Sequence, residues 1–220
     1  MKVVHKIYLS GLGVFIRKII NSSRLLSLAF YRLKVFDNIK KEDISLWSDG
    51  TINKTDFYIT IDDNSRVLLD YVQKYVEKDE RILDICCNQG RFLFDLQSNG
   101  YSNLNGFDIM STAIDTIRKK ADYKPETMHI EHCLAQDFFK DKANNEFDWA
   151  ITYSATIELI NPEFNIFKEL ARTVQKGMIL VINENGHTYP RFYRLLHKIN
   201  GFKILETKTL GDTTLIFSKK

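Results

Sequence analysis

From residue 81 onward, short apolar runs alternate with amphipathic segments along the chain. Residues 81–86 read as a buried strand ending in a polar loop. Residues 92–98 read as a helix closed by Asn99-Gly100, a usual helix stop. A second strand over 104–109 leads to a helix over 111–121, with Ala113, Ile114 and Ile117 on one side and Ser111 as cap. Strands follow at 128–134 and 147–153. A helix over 162–175 carries Pro162 in its first turn and Gly177 beyond its end. A fifth strand covers 178–183, and a helix over 189–199 stops at Asn200-Gly201. Strands 202–210 and 213–218 are joined by Gly211-Asp212, a hairpin signal.

Strands separated by helices imply parallel crossovers, and only the final strand lacks a helix before it. The expected fold is therefore α/β: a doubly wound, mostly parallel seven-stranded sheet with an antiparallel C-terminal strand. An N-terminal helical extension precedes it, and the expected units are 1–36, 37–80 and 81–220. Within 37–80, Trp47-Ser48-Asp49-Gly50 reads as a turn and residues 63–75 as a helix leading into the first strand, with the block packed over the ligand cleft.

Residues 1–36 are different in kind. They hold seven Lys and Arg, no acid, and many apolar neighbours such as Phe15, Ile16, Ile19, Leu25 and Leu26. The uncharged run 7–16 is too short to span a bilayer, and no small-residue cleavage site follows it. This is a basic amphipathic helical arm. Covering part of the main domain or a dimer partner is its first expected role. Peripheral contact with an anionic membrane is the second, and RNA binding the third.

Composition adds limits. A chain of 220 residues with 44% hydrophobic and 27% charged residues suits one soluble domain with an appendage. The net charge of +3 is too mild for a dedicated nucleic-acid binder, and no DNA partner is expected. Cys86, Cys87 and Cys133 show no zinc spacing, so three free thiols in a reducing cytoplasm are expected.

The most informative stretch is Ile82-Leu83-Asp84-Ile85-Cys86-Cys87-Asn88-Gln89-Gly90-Arg91-Phe92-Leu93, which leaves a parallel strand and enters a helix. Ligands bind at that edge of open α/β sheets. Gly106-Phe107-Asp108-Ile109 then puts an acid at the end of the second strand, 18 residues after Gly90. Leu134-Ala135-Gln136-Asp137-Phe138 follows the third strand, and Phe147-Asp148-Trp149-Ala150-Ile151-Thr152-Tyr153-Ser154 forms the fourth. The run from Lys168 to Gly177 precedes the fifth.

Taken in order, these segments resemble the class I (Rossmann-like) S-adenosylmethionine-dependent methyltransferases over roughly residues 80–220. The family's first motif is D-x-G-x-G-x-G; here Asp84 and Gly90 match, and Cys86 and Asn88 stand where two glycines are usual. Asparagine tolerates positive φ better than other non-glycine residues. The resemblance implies S-adenosylmethionine as cofactor, S-adenosylhomocysteine as product and no metal. It implies cofactor contacts from Asp84, Cys86, Asn88, Gly90, Asp108, Ile109 and Tyr153, with Asp108 on the ribose hydroxyls. It also assigns Asp137 to the adenine amino group and the Phe138 N–H to the adenine ring. A nicotinamide dinucleotide site looks alike at Asp108, but its pyrophosphate demands a more open glycine turn.

Methylation of a hydroxyl needs a general base. Candidates past the fourth and fifth strands are Glu158, Glu184 and His187, with His187 preferred because imidazole titrates near neutrality. Family members often carry Glu-His at the first of these positions, whereas this chain has Glu158-Leu159. The expected function is methyl transfer to a small-molecule acceptor, favoured as a sugar or metabolite hydroxyl. Acceptor selection falls to residues 37–80 and 184–191, with Trp47, Phe57, Tyr58, Tyr189, Phe192 and Tyr193 available to stack on a ring. RNA or protein methylation is the alternative, and it gains ground if Arg191, Arg194, His197, Lys198 and Lys203 form one basic face with the arm. A non-catalytic scaffold of the same fold is the third reading.

Overall fold

The computed structural model describes residues 11–31, 59–153, 157–184 and 188–220. Trp47, Phe57, Tyr58 and His187 lie outside the described residues. A seven-stranded sheet has the order β3-β2-β1-β4-β5-β7-β6. Its strands are β1 Ile82–Ile85, β2 Leu104–Asp108, β3 Met128–His132, β4 Phe147–Tyr153, β5 Val174–Ile182, β6 Lys203–Leu210 and β7 Thr213–Lys219. Strands β1 to β5 pair in parallel, and β7 runs antiparallel to both β5 and β6. The strand order reverses beside β1, the place where open α/β sheets form a ligand crevice.

Helices α1 Gly11–Asn21 and α2 Arg24–Tyr31 form an N-terminal hairpin. The remaining helices are α3 Asp63–Tyr75, α4 Arg91–Ser98, α5 Ser111–Lys119, α6 Ala135–Lys140, α7 Ile166–Thr173 and α8 Tyr193–Ile199. Two buried clusters occupy the two faces of the sheet. On one face, Leu68, Leu69 and Val72 of α3, Leu93 and Leu96 of α4 and Ile114 and Ile117 of α5 meet Ile82, Ile151, Ile179 and Phe217. On the other, Phe138 and Phe139 of α6, Phe167 and Leu170 of α7 and Leu196 of α8 meet Leu83, Ile85, Met178 and Leu180. Strands buried on both sides read as continuous apolar runs, as the second half of β5 does, and β1 departs from that only at Asp84.

Several boundaries differ from expectation. The helix expected over 162–175 begins at Ile166, because the Asn165 side chain accepts from the Lys168 N–H and caps it there. Pro162 lies in the turn before it, and residues 174 and 175 belong to β5. Likewise α8 starts at Tyr193 rather than 189, because Pro190 and its neighbours form a linker. Short α6 was not expected as a helix; Phe138 and Phe139 provide its buried face. Helix α3 has the expected bounds, but it packs on the face of the sheet, with Tyr75 stacked on Phe217 at 4.3 Å. The residues just before it reach the ligand edge, where the Arg91 guanidinium donates to Thr60 O.

Candidate active site

The turn after β1 keeps the backbone of a glycine-rich loop with two of its three glycines replaced. Cys86 has φ +56°, Asn88 +46° and Gly90 +73°, so all three adopt the left-handed conformation. Asn88 stabilises its own strained position: its Oδ1 accepts from the Gln89 N–H at 2.8 Å. A side chain at Gly90 would press on Ile117 at 3.1 Å, and one at Gly106 would meet Cys87 Sγ at 2.9 Å. The small Cys87 and the bare Gly106 thus let turn and second strand approach closely.

Inside this turn the N–H groups of residues 87–90 are consumed by the protein itself. Cys87 donates to Phe107 O, Asn88 to Asp108 Oδ2, Gln89 to Asn88 Oδ1 and Gly90 to Cys87 O, at 2.8–2.9 Å. A pyrophosphate cradle needs such groups pointing outward. The turn is therefore shaped for a ligand that brings no phosphate there.

Asp108 stands at the end of β2, buried, with Oδ1 accepting from the Met110 N–H and Oδ2 from Asn88, both at 2.8 Å. Each oxygen retains one acceptor position for a ribose hydroxyl. Burial raises its pKa, against the lowering effect of those two N–H bonds. Asp84 is 2% exposed and its Oδ2 has no hydrogen-bond partner. Burial pushes that carboxyl up to about 8, opposed by Arg91 and reinforced by Asp108. A buried carboxyl with one oxygen, Oδ2, lacking a partner at a ligand edge fits a cationic guest, and S-adenosylmethionine carries an ammonium and a sulfonium. The fit therefore holds on both counts: a cation for Asp84, and no phosphate for the closed turn.

At the far side of the crevice, Tyr153 ends β4, its ring 5.5 Å from Phe92 and beneath the Arg91 guanidinium at 4.9 Å. Ile109 is half-buried, and its carbonyl pairs with His132 Nε2 at 3.0 Å, a contact the sequence did not single out. Burial raises both thiols of the turn, Cys86 and Cys87, and lifts Cys133 to about 11, so all three are packing groups rather than nucleophiles.

The adenine assignment needs correction in part. Asp137 is exposed in the first turn of α6, but the Phe138 N–H is already donated to Leu134 O at 2.9 Å. The Phe138 ring is core, stacked 4.4 Å from Phe107. Helix geometry leaves the earlier N–H groups of the turn, those of Ala135 and Gln136, without an intrahelical acceptor. Those are the donors available for a ring nitrogen.

The three base candidates separate. Glu158 is fully buried, and its carboxylate accepts from the Asn183 N–H, while its carbonyl accepts from the Tyr189 N–H at 2.9 Å. It ties the loop after β4 to the loop after β5 and has no access to an acceptor, so it is not the base. Its neighbours Ile157 and Ile160 offer their carbonyls to the buried Arg191 guanidinium, which completes the same latch. Glu184 is half-buried at the end of β5, with Arg194 Nε 3.3 Å away. Tyr189 and Tyr193 are buried and unavailable for stacking on an acceptor; Phe192 is half-buried, with its ring edge on Phe15. Among the described residues no group of three His, Cys, Asp or Glu side chains is placed to hold a metal ion.

Sheet order, switch-point crevice and left-handed turn together define a methyltransferase-type Rossmann fold. Comparison with known proteins agrees: residues 82–177 match the family model of a methyltransferase domain. Residues 82–177 thus have the sequence of a methyltransferase domain, in a fold shared with S-adenosylmethionine-dependent methyltransferases. A tRNA U34 carboxymethyltransferase of Sulfurimonas denitrificans is 30% identical over 113 residues, 49% of this chain and 37% of that protein. The chain thus spans little more than a third of that relative's length. Among solved structures, an S-adenosylmethionine-dependent methyltransferase from Mesorhizobium loti aligns at TM-score 0.56 and 13% identity, over 71% of this chain and 97% of that one. Magnesium protoporphyrin IX methyltransferase from Synechocystis PCC 6803, with bound S-adenosylhomocysteine, aligns at TM-score 0.54 and 15% identity, over 90% of this chain and 99% of that one.

Proposed function

We propose that the chain transfers the methyl group of S-adenosylmethionine to a hydroxyl of a small-molecule acceptor, a sugar or similar metabolite such as a surface-polysaccharide precursor, at the cytoplasmic side. The cofactor supplies a methyl group already activated on a sulfonium, so the protein's task is placement. Asp84 receives the cationic end, Asp108 the ribose, and the first turn of α6 the adenine. The acceptor enters beside Tyr153 and the loop after β5, held in line for displacement. As the carbon–oxygen bond forms and the carbon–sulfur bond breaks, the acceptor's proton passes to a base. His187 is the first candidate and Glu184 the second; Glu158 is excluded by burial.

The observation that carries the small-molecule reading is the fate of the C-terminal cations. A macromolecular acceptor would gain support if Arg191, Arg194, His197, Lys198 and Lys203 formed one face. Arg191 is buried in the latch and His197 is buried against α7, its imidazole pushed down to about 4 by burial. Arg194 is engaged by Glu184. Lys198, Lys203 and the salt-bridged Arg194 remain exposed, so residues 191–203 do not themselves form one continuous basic face. The tRNA-enzyme relative supports an RNA acceptor as the second reading. The discriminating experiment offers isotopically labelled S-adenosylmethionine with nucleotide sugars, lipid-linked saccharides and tRNA transcripts in parallel. Label in the saccharides that His187→Ala reduces supports the proposal; label in tRNA alone overturns it.

A further inference from the structure

The N-terminal hairpin is inside out. On α1, the residues turned toward the protein are Gly13, Arg17 and Asn21, and those turned away are Leu12, Phe15, Ile16 and Ile19. At about 100° per residue these sets lie on opposite sides of the helix. Helix α2 continues the pattern: Ser27 and Tyr31 are buried, while Leu25 is 80% and Leu26 46% exposed.

Polar bonds hold this orientation. Arg17 Nη1 donates to Thr188 O at 3.3 Å, and Asn21 Nδ2 to Pro190 O at 3.1 Å. The Phe192 N–H donates to Ser22 Oγ at 2.8 Å, and Tyr31 OH to Asn21 Oδ1 at 2.9 Å. The hairpin is thereby fixed to residues 188–192, the segment that follows β5 at the ligand edge. Helix α8, which begins just after Phe192, exposes Leu195 and Ile199 one turn apart.

We propose that this outward apolar face docks the protein on an anionic lipid bilayer. With Arg17 turned inward, the cations beside the stripe in residues 11–31 are Lys18 and Arg24, and the sequence of residues 1–36 holds seven cations and no acid. An apolar stripe flanked by cations is the composition of a helix that lies in the interface plane and sinks its apolar side among the acyl chains. Anionic headgroups complement that charge. A second copy complements it less well: a two-fold contact sets the same patch against itself, and residues 11–31 bring cations but no acid to such a contact. No helix among the described residues is long and apolar enough to cross a membrane, so the contact is peripheral. Docking stands independently of the acceptor's identity, and it sets the ligand edge beside the headgroups.

The test is flotation of the 220-residue chain with phosphatidylcholine vesicles, with and without phosphatidylglycerol. The expected result is co-flotation with the anionic vesicles, falling by about tenfold on neutral vesicles or in high salt. The double variant Leu12→Glu/Leu25→Glu alters the two most exposed apolar positions of the hairpin, so it keeps its circular dichroism spectrum and S-adenosylmethionine affinity but loses flotation. Wild-type protein that stays at the bottom with anionic vesicles overturns the proposal. So does a dimer by light scattering that the same double variant dissociates, because the face would then belong to a second copy.

Discussion

Helices α1 and α7 are both strongly amphipathic, and they turn opposite faces to the protein. Helix α7 buries Ile166, Phe167 and Leu170 against the sheet, whereas α1 buries Gly13, Arg17 and Asn21 and leaves its apolar stripe outside. The difference comes from what each helix meets. The sheet offers α7 the side chains of Met178, Leu180 and Ile182. Residues 188–192 offer α1 and its connection to α2 carbonyl oxygens and an N–H, which only a polar face satisfies. Periodicity therefore defines a face, and the partner decides which way that face points.

The sharpest way to break this contrast is to truncate one ring in each helix. Phe167→Ala removes a fully buried ring and is expected to cost about 3–5 kcal/mol in denaturant unfolding. Phe15→Ala removes a ring that is 53% exposed and set edge-on to Phe192, and is expected to stay within about 0.5 kcal/mol. Equal losses would mean that α1 is part of the core after all.

A second contrast, between stability and function, centres on Asp84. Its folded pKa of about 8 lies above the ordinary value of 3.8. Between those values the folded state holds a proton that the unfolded chain has released, so stability falls as pH rises. The fall is on the order of 1 kcal/mol per pH unit and ends near pH 8. Asp84→Asn removes it, and is expected to melt higher than wild type at pH 8, to match it near pH 4 and to bind S-adenosylmethionine poorly. A variant less stable than wild type at pH 8 would show that the carboxylate is structurally satisfied. The smallest effect concerns the turn: Cys86→Gly relieves a left-handed non-glycine residue, offset by added chain entropy. The net expectation is a gain of a few tenths of a kcal/mol in thermal unfolding; a loss would mean the Cys86 side chain outweighs the strain.

The parallel sheet, its hairpin end and the acids at 84 and 108 were legible because each rests on local patterning: apolar strands, helix stops and spacing. What the sequence hid depended on long-range partners. Phe138 was assigned by motif position to a ligand, but its ring completes an aromatic stack with Phe107 and its N–H closes the first turn of α6. Glu158 had the chemistry of a base, and only the fold shows it bonded to Asn183 across two loops. Arg191 and His197 looked like surface cations; both are buried between elements far apart in the chain. The outward stripe of α1 was visible as a stripe, but its direction depends on carbonyls more than 160 residues away, as the separations of 171 and 169 show.

The most direct test of the site is calorimetric titration with S-adenosylmethionine, S-adenosylhomocysteine and NAD. The crevice described here predicts dissociation constants on the order of micromolar for the first two, none for NAD, and marked weakening by Asp108→Ala in protein that still unfolds cooperatively. Folded wild-type protein that binds neither sulfur ligand, or that prefers NAD, would contradict it.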